Sequence, residues 1–233
     1  MLFSWHDDTI RWYEAADKYT GFYKNLADTL GPMVDGAKAF ADLGCGLGLI
    51  DLELAPQVES ICCVDISEEA LSHLRETAAR RGISNLEIIC CDSFELERTF
   101  DVIYLCFFSS QDIERFLPMC RKLIAIVSGE SNAPFFPQQF RKKRRRTVED
   151  EKRYLAGLGL GYTLTERVFE FGQPLTSIED ARAFVRVYAP EIPQRELDEF
   201  LELRLVETGD ARYPLYMPRK KTIGIFEVDG KLK

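Results

Sequence analysis

Residues 41–48, Ala41-Asp42-Leu43-Gly44-Cys45-Gly46-Leu47-Gly48, place three glycines at every second position directly after an apolar segment. The preceding segment, Ala37-Lys38-Ala39-Phe40, is predicted to be a short buried strand, and residues 49–55 are predicted to form the helix that leaves the loop. Glycine lets the backbone turn sharply and approach a ligand where a Cβ would collide. The start of the helix adds unpaired N–H groups and a partial positive charge. The stretch therefore predicts a cradle for a nucleotide-type ligand.

Apolar strands and helices alternate along the chain after this loop. The pattern predicts strands over 60–65, 86–92, 101–107 and 123–128, with helices over 67–81 and 111–122. Near-continuous apolar strands separated by helices indicate a parallel sheet that is covered on both faces. Right-handed crossovers then give an α/β, doubly wound, Rossmann-like fold, which binds its ligand at the carboxyl ends of the strands.

Acidic residues occupy the carboxyl ends of these strands. Asp65 ends the second strand, 21 residues after Gly44, and Asp92 ends the third. The spacing from Gly44 to Asp65 is the one at which an acid reaches a ribose diol in a nucleotide-binding fold. A carboxylate can accept hydrogen bonds from two vicinal hydroxyls at once. The acids and the glycine loop are therefore expected to share one edge of the sheet.

The spacing of the glycines separates two classes of ligand. A dinucleotide fingerprint, G-x-G-x-x-G, needs a third glycine where this chain has Leu49, whereas Gly48 comes one residue earlier. Asp42, two residues before Gly44, is unfavourable beside a pyrophosphate and favourable beside a cation. S-adenosylmethionine carries an ammonium and a sulfonium and no phosphate. The loop therefore favours S-adenosylmethionine. The alternative is a nicotinamide dinucleotide, and the protein would then be an oxidoreductase.

Residues 42–48 resemble the glycine-rich motif of the class I S-adenosylmethionine-dependent methyltransferases, and the resemblance extends over roughly residues 37–130. It implies S-adenosyl-L-methionine as cofactor and S-adenosyl-L-homocysteine as product. The implied cofactor contacts run from the loop to the ends of the next strands: Asp42, Gly44, Cys45, Gly46, Gly48, Asp65, Ile66, Asp92, Ser93, Phe94, Leu105 and Phe107. The N-terminal pattern Trp12…Ala16…Tyr19 is similar to the segment that covers the cofactor in many small-molecule members, which adds Trp12 and Tyr19.

The resemblance also implies how the sheet ends. The family's sheet has seven strands in the order 3-2-1-4-5-7-6, with strand 7 antiparallel, and residues 162–171 and 222–228 fit strands 6 and 7. Between them we expect helices over 178–187 and 194–207. The predicted organisation is a single domain over 1–233. It consists of N-terminal lid helices (1–32, stopped at Gly31-Pro32), a core (33–177 and 219–233) and a helical cap insertion (178–218) that determines the substrate.

The cysteines and histidines give little support for a metal site. The seven cysteines include the adjacent pairs Cys62-Cys63 and Cys90-Cys91, there is no Cys-x-x-Cys, and the chain has two histidines. We expect the cysteines to be small buried hydrophobes in a reducing compartment. The alternative is a set of thiolates that bind a soft metal or metalloid substrate. His6 is a candidate general base on an acceptor hydroxyl, with a surface or capping histidine as its alternative.

Features outside the loop bear on the methyl acceptor. The apolar segment 132–137, together with Phe107 and Phe108, predicts a small-molecule acceptor with an apolar or aromatic portion. The chain lacks the Asn/Asp-Pro-Pro-aromatic motif of base-directed amino methyltransferases and the Pro-Cys nucleophile of carbon-5 cytosine enzymes. The basic run 141–146 points to RNA or protein as an alternative acceptor, but the net charge of −8 disfavours nucleic acid. A non-catalytic cofactor-binding subunit is a further alternative.

Composition sets the remaining bounds. The 233 residues are 46% hydrophobic and 29% charged, as in ordinary globular proteins, and suffice for one sizeable core. No apolar run approaches the roughly 20 residues that span a bilayer, so we expect no membrane partner. The N-terminus lacks the basic and apolar regions of a secretory signal, which predicts a cytoplasmic protein.

Overall fold

The computed structural model describes residues 4–107, 113–129, 133–141 and 146–232. The helices are α1 (Asp7–Thr20), α2 (Phe22–Val34), α3 (Leu49–Leu54), α4 (Glu68–Arg81), α5 (Val148–Gly157), α6 (Ile178–Tyr188) and α7 (Gln194–Arg204). The strands are β1 (Ala39–Leu43), β2 (Ser60–Asp65), β3 (Leu86–Cys90), β4 (Phe100–Cys106), β5 (Cys120–Ser128), β6 (Thr163–Glu170), β7 (Gln173–Leu175), β8 (Val206–Glu207), β9 (Leu215–Met217) and β10 (Lys220–Asp229). None of the described helices is both long and apolar enough to cross a bilayer.

Seven strands form the main sheet, in the order β3-β2-β1-β4-β5-β10-β6. The pairs among β1 to β5 are parallel, and β10 is antiparallel to both β5 and β6. The predicted doubly wound, Rossmann-like sheet with an antiparallel last strand is confirmed. Its first five strands bring their carboxyl ends to one edge, and β10 begins at that same edge because it runs in the opposite direction.

Strand β1 is buried on both faces and continues further than the sequence indicated. It runs through Asp42 and Leu43 because these residues pair with β2, and Asp42 also pairs with Tyr104 of β4. Successive residues enter opposite hydrophobic clusters, Phe40 on one face and Ala41 on the other. This alternation places Asp42 on the same face as Phe40, under the helix that follows the loop.

The N-terminal helices break at Gly21, as predicted, because this residue takes a left-handed conformation (φ 66°) that glycine tolerates. The predicted stop at Gly31-Pro32 is wrong, since α2 continues to Val34. Pro32 lies in the last turn, where a missing N–H weakens only the end of the helix. Burial of Leu30 and Val34 in the core holds that turn in place.

The predicted helix over 111–122 is wrong in its described part. Residues 113–115 and 117–119 form two single 3₁₀ turns, and β5 begins at Cys120 rather than at residue 123. Pro118 has no N–H and disfavours helical geometry in the residue before it, so the turns do not join into one helix. Residues 111 and 112 lie outside the described residues.

The segment between β6 and β10 is larger and more mixed than the two predicted helices. α7 ends at Arg204, and β8 occupies part of the predicted helix over 194–207. β7, β9 and β8 form a second, antiparallel sheet that the sequence did not indicate. Strands of two or three residues carry too little periodicity to be recognised in a sequence. We call residues 173–217 the cap.

The cap shares its own hydrophobic cluster with α1. Trp12 packs edge-on against Phe184, with ring centroids 5.4 Å apart, and both side chains are buried. Asp180 fixes this contact, since its carboxylate accepts hydrogen bonds from the Trp12 indole (2.9 Å), the Arg11 guanidinium (2.7 Å) and the Thr176 backbone N–H (2.9 Å). The N-terminal helix and the cap are therefore joined through one carboxylate.

Cysteine burial follows strand position. Cys62, Cys63 and Cys120 are buried, but Cys90 is exposed, which corrects the expectation of seven buried thiols. Cys90 ends β3, an edge strand of the main sheet that pairs with β2 on one side only. Among the residues that the structure describes, no group of three or more His, Cys, Asp or Glu side chains could hold a metal ion.

We predict that Asp180→Ala destabilises the protein by about 2–4 kcal/mol in urea denaturation at neutral pH, because several hydrogen bonds between α1 and the cap are lost. Asp8→Ala is the matched control, since Asp8 contacts the same Arg11 from an exposed position and should change stability by less than about 0.5 kcal/mol. An equal loss in the two variants would contradict the role given to Asp180.

The same pair of variants has a pH dependence. Burial raises the pKa of Asp180, but hydrogen bonds from Arg11, Thr176 and Trp12 outweigh it, so the pKa lies below its ordinary value. A carboxyl group whose pKa is lowered in the folded state stabilises the fold at pH values above its unfolded-state pKa. This contribution is lost as the pH falls through the folded-state pKa. The difference in stability between wild type and Asp180→Ala should therefore become smaller below about pH 4.

Candidate functional site

The glycine loop leaves β1 and turns back on itself before α3. Gly44, Gly46 and Gly48 all have positive φ angles, of 81°, 55° and 60°. The N–H groups of Gly44 and Cys45 both donate to the Val64 carbonyl, at 2.7 and 3.0 Å, which ties the loop to the end of β2. The backbone thus needs glycine here, and the loop is held against the next strand.

Two of these glycines are also required by close packing. A Cβ on Gly48 would lie 2.5 Å from a methyl carbon of Leu74 in α4, and one on Gly46 would lie 2.9 Å from the ring of Trp5. The loop is therefore enclosed by α4 on one side and covered by an N-terminal aromatic ring on the other.

Asp65 connects the loop to β2 and α4. One carboxylate oxygen accepts from the Gly46 N–H at 2.8 Å and the other from the Ser67 N–H at 2.9 Å. The side chain is partly exposed, so lone pairs on both oxygens remain open to a ligand. The carboxylate thus shapes the loop and faces the ligand edge at the same time.

The next residues along this edge lie where the strand order predicts. Ile66 is exposed directly after Asp65. Asp92 follows β3, is exposed, and accepts from the Phe94 N–H at 3.0 Å, while Ser93 is buried. The Phe94 ring stacks on Phe116, with centroids 5.2 Å apart. These residues form a continuous rim from the loop to the third strand.

Two buried acids lie beneath the loop. Asp42 at the end of β1 and Asp51 in α3 are 1% and 0% exposed. The two carboxyl groups interact with each other, although Oδ1 of Asp42 and both oxygens of Asp51 have no donor among the described residues. Burial raises the pKa of both groups, that of Asp42 further because of the charge on Asp51, and that of Asp51 to about 7. The pair therefore retains a proton near neutral pH.

The thiols near this pair are neutral. Burial raises the pKa of Cys45 to about 12. The pKa of Cys63 is raised by its hydrogen bond with Cys45 and by burial. Burial also raises the pKa of Cys106 to about 12, although the positive charge of Lys221 acts in the opposite direction. Such pKa values disfavour the thiolates that a soft metal or metalloid would need.

The end of β4 completes the edge beside the loop. Leu105 is buried in the core, and Phe107 has a φ of 53°, the one positive φ of a non-glycine residue in the described ranges. Left-handed geometry costs about 1 kcal/mol or more for such a residue and is concentrated at functional sites. The Lys221 ammonium lies 3.4 Å from the centroid of the Phe107 ring.

The two aromatic residues expected to cover the cofactor have other contacts. Trp12 is buried against the cap, and Tyr19 is exposed and packs on Tyr216, with ring centroids 4.9 Å apart. The aromatic residue over the loop is Trp5, which also contacts Tyr13 edge-on at 5.3 Å. α1 points its Trp12 face toward the cap, so the segment before the helix supplies the covering ring.

The histidines have structural contacts. His6 is exposed and is the N-cap residue of α1, with its backbone N–H donating to the Thr9 hydroxyl at 2.9 Å. Its position next to Trp5 keeps it near the loop, as a candidate base requires. His73 in α4 contacts the Glu14 carboxylate at 2.7 Å and joins α4 to α1.

The segments proposed to contact the acceptor are described in part. Phe135 and Phe136 of the apolar segment 132–137 are buried in the hydrophobic cluster that the cap shares with α1. Phe108 and Asn132 lie outside the described residues, as do 142–145 of the basic run. At the ends of that run, Arg141 lies over Phe136, and Arg146 pairs with Glu151 at 2.6 Å.

Sequence reasoning missed three residues that the fold brings to this edge: Trp5, Asp51 and Lys221. Asp51 offered a signal, because an acid in the apolar run Leu49-Ile50-Asp51-Leu52 has no obvious place in a buried helix. Trp5 and Lys221 offered none, since their positions depend on contacts with distant parts of the chain.

Comparison with known proteins agrees with this geometry. Residues 40–125 match the family model described as a methyltransferase domain. A 57-residue stretch is 35% identical to mouse (Mus musculus) tRNA (uracil-5-)-methyltransferase homolog A, and this covers 24% of the chain and only 9% of the mouse protein.

Solved structures share the fold at low sequence identity. YcgJ from Bacillus subtilis superposes with a TM-score of 0.60 at 13% identity, covering 91% of this chain and 99% of that protein. A Bacillus halodurans protein gives 0.55 at 14% identity (89% and 99% covered). Precorrin 8w decarboxylase from Methanobacterium thermoautotrophicum gives 0.52 at 15% identity (88% and 89%). Residues 40–125 thus match a methyltransferase domain, and they lie in a seven-stranded sheet whose fold these solved structures share.

Proposed function

We propose that the protein transfers a methyl group from S-adenosylmethionine to a small-molecule acceptor with an apolar or aromatic portion. The observation that carries the proposal is the buried Asp42 carboxyl, whose Oδ1 has no donor among the described residues and which lies beneath a glycine loop. A buried acid without a donor is costly unless a ligand supplies one. The ammonium of S-adenosylmethionine is such a donor.

The remaining residues of the edge suit the rest of the cofactor. The partly exposed oxygens of Asp65 can accept from the ribose hydroxyls. Ile66 is an exposed apolar surface for the adenine, and Asp92 can accept from its amino group. The bound cofactor supplies an activated methyl group on its sulfonium. The chain's own contribution is to orient that group and to exclude water.

The acceptor side is apolar. Trp5, Tyr13, Phe171 and Phe107, which we call the aromatic wall, extend from the glycine loop to Lys221. Such a surface favours an acceptor that has its own apolar or aromatic part. His6, next to Trp5, is the candidate base for an acceptor that must lose a proton.

Two further functions remain as outcomes of the test. The basic run 141–146 would suit RNA or protein as acceptor, and the short match to a tRNA methyltransferase homologue is in line with RNA. Against this, Arg141 and Arg146 already pack on neighbouring side chains. A cofactor-binding subunit without catalysis would keep the glycine loop and its acids unchanged.

The deciding experiment combines binding with labelled transfer. Calorimetry with S-adenosylmethionine, S-adenosylhomocysteine and NADH should give heat with the first two only. Methyl-labelled cofactor is then added to a cell extract, and the product is treated with RNase and with protease before separation by size. Label in small molecules that survives both enzymes is expected. Label that either enzyme releases would identify RNA or protein as the acceptor, and binding without transfer would indicate a non-catalytic subunit.

We predict that Asp65→Asn weakens the binding of S-adenosylmethionine by about 10- to 100-fold, because a charge-assisted hydrogen bond to the ribose is lost. Glu69→Gln is the control, since Glu69 is an exposed acid in the first turn of α4. Calorimetry of both variants, with thermal melts to check folding, measures the effect. Unchanged affinity in a folded Asp65→Asn protein would contradict the assignment.

Trp5 provides an optical signal for cofactor binding. The chain has two tryptophans, Trp5 over the loop and Trp12 buried in the cap contact. Addition of S-adenosylhomocysteine should change the fluorescence of the wild type and of Trp12→Phe, but not that of Trp5→Phe. A signal that is lost with Trp12 instead would contradict the position of Trp5.

Asp51→Asn should stabilise the cofactor-free protein at about pH 8. Burial raises the pKa of Asp51 in the folded state to about 7. Such a group stabilises the fold at pH values below its unfolded-state pKa, and this stabilisation is lost as the pH rises through the folded-state pKa. Between about pH 4 and pH 7 the wild type should therefore lose more stability than the variant, in which Asp42 is the one remaining acid of the pair. Urea denaturation should show an advantage of about 2–4 kcal/mol for Asp51→Asn at pH 8 that shrinks toward pH 4. A constant difference across this range would contradict the shared proton.

A further inference from the structure

Strand β3 ends the main sheet with an open edge. It pairs with β2 on one side only. The Asn85 carbonyl and the Cys91 N–H both bond to β2, so the odd-numbered residues of this strand face the sheet. The N–H and C=O groups of Leu86, Ile88 and Cys90 therefore point the other way, toward an edge where the described part of the chain places no further strand.

The opposite edge of the sheet shows how a strand can be protected from pairing. Three of the eight residues of β6 are charged, Glu166, Arg167 and Glu170, and charged side chains on an edge oppose pairing with another chain. β3 has the sequence Leu-Glu-Ile-Ile-Cys, and its one charged residue, Glu87, pairs with Arg98 at 2.7 Å. An apolar edge without such protection is a surface on which a further strand can add.

The sequence of β3 is complementary to itself. In an antiparallel pair centred on Ile88, this residue faces its own copy, and Leu86 faces Cys90. These are the residues whose backbone groups point outward, so each facing pair would exchange two hydrogen bonds. Glu87 faces Ile89 in this register, so no like charges are opposed. A register centred on Glu87 would instead oppose two carboxylates.

Helix α4 lies over this edge and carries charges on the β3 side. It packs on β2 and β3. Glu68 in its first turn interacts with the Cys90 thiol and pairs with Arg75 at 2.7 Å, which places both charged side chains near the edge. A strand rises about 3.3 Å and a helix about 1.5 Å per residue, so Ile88 lies near Ser72, about four helical residues from Glu68.

The charges of α4 are complementary about the same centre. Two-fold pairing about the middle of β3 sets the two copies of α4 side by side and antiparallel on one face of the joined sheet. Glu68 and Arg75 lie on either side of Ser72 in the helix, so each Glu68 faces Arg75 of the other copy. Opposite charges therefore meet twice across the axis, which favours this orientation of the two copies.

We propose that the chain forms a two-fold homodimer in which β3 pairs with β3 of a second copy and α4 lies beside α4. The two seven-stranded sheets then join into one. The occupant of the edge is a second copy because both the register of β3 and the charges of α4 match their own two-fold images. This interface does not depend on the identity of the methyl acceptor.

The test is the mass of the protein in solution, measured by sedimentation velocity over a dilution series up to about 100 μM. Wild type should sediment at twice the mass of the chain. Ile88→Lys places two ammonium groups face to face at the axis and should weaken the dimer at least about 100-fold. Val168→Lys is the control and should remain a dimer, since Val168 is exposed on β6, the other edge of the sheet.

Two further measurements do not depend on the folding of Ile88→Lys. Arg75→Glu is an exposed substitution that opposes carboxylates across the axis and should weaken the dimer about 10-fold. Adding Glu68→Arg to it exchanges the two charges and should restore the wild-type dissociation constant. In unmodified protein, the amide hydrogens of residues 86, 88 and 90 should become protected from exchange as the concentration rises.

Three outcomes would overturn the proposal. The first is a wild type that stays monomeric over the whole series, which would leave the edge to a different protein or to solvent. The second is a dimer that survives in folded Ile88→Lys. The third is a dimer that is lost in Val168→Lys, which would move the interface to β6. Circular dichroism of each variant checks that it is folded.

Discussion

The Asp65 carboxylate makes the contact on which the candidate site depends. Its two oxygens accept from Gly46 in the loop and from Ser67 before α4, so one side chain joins β1, β2 and the helix that follows. Together with the Val64 carbonyl, which accepts from the Gly44 and Cys45 N–H groups, this contact offsets the conformational freedom that three left-handed glycines bring to the loop. The same oxygens face the ligand edge. Shape and recognition are therefore coupled in one group.

Beneath the loop, stability and function oppose each other. Burial raises the pKa of two acids that are 0–1% exposed, and Asp51 raises the pKa of Asp42 further, so the pair costs free energy at neutral pH. A well-packed apolar pair would be more stable but would offer nothing to an ammonium. The protein thus carries a local cost at the position where a cationic ligand would relieve it, which is a pattern expected of binding sites.

The cap and α1 are joined to each other by side-chain contacts. Asp180 of α6 accepts hydrogen bonds from Trp12 and Arg11 of α1. In the segment before α1, the Trp5 ring lies over Gly46.

Much of the site could be predicted from the sequence because its signals are local. The glycine spacing, the acids Asp65 and Asp92, and the alternation of strands and helices determined the sheet, its ligand edge and the class of cofactor. Errors occurred where local signals compete, as at Pro32, or are too short to show a period, as in β8 and β9.

Only the tertiary structure decided which distant side chains meet at that edge. Trp5 rather than Trp12 covers the loop, Asp51 meets Asp42 across a turn of the chain, and Lys221 reaches Phe107 from 114 residues away. A sequence carries the periodicity of each element, which fixes the face on which a residue lies. The partner on that face depends on strand order and helix packing. The methyl donor is therefore indicated by local sequence, whereas the chemistry of the acceptor depends on contacts formed only in the folded chain.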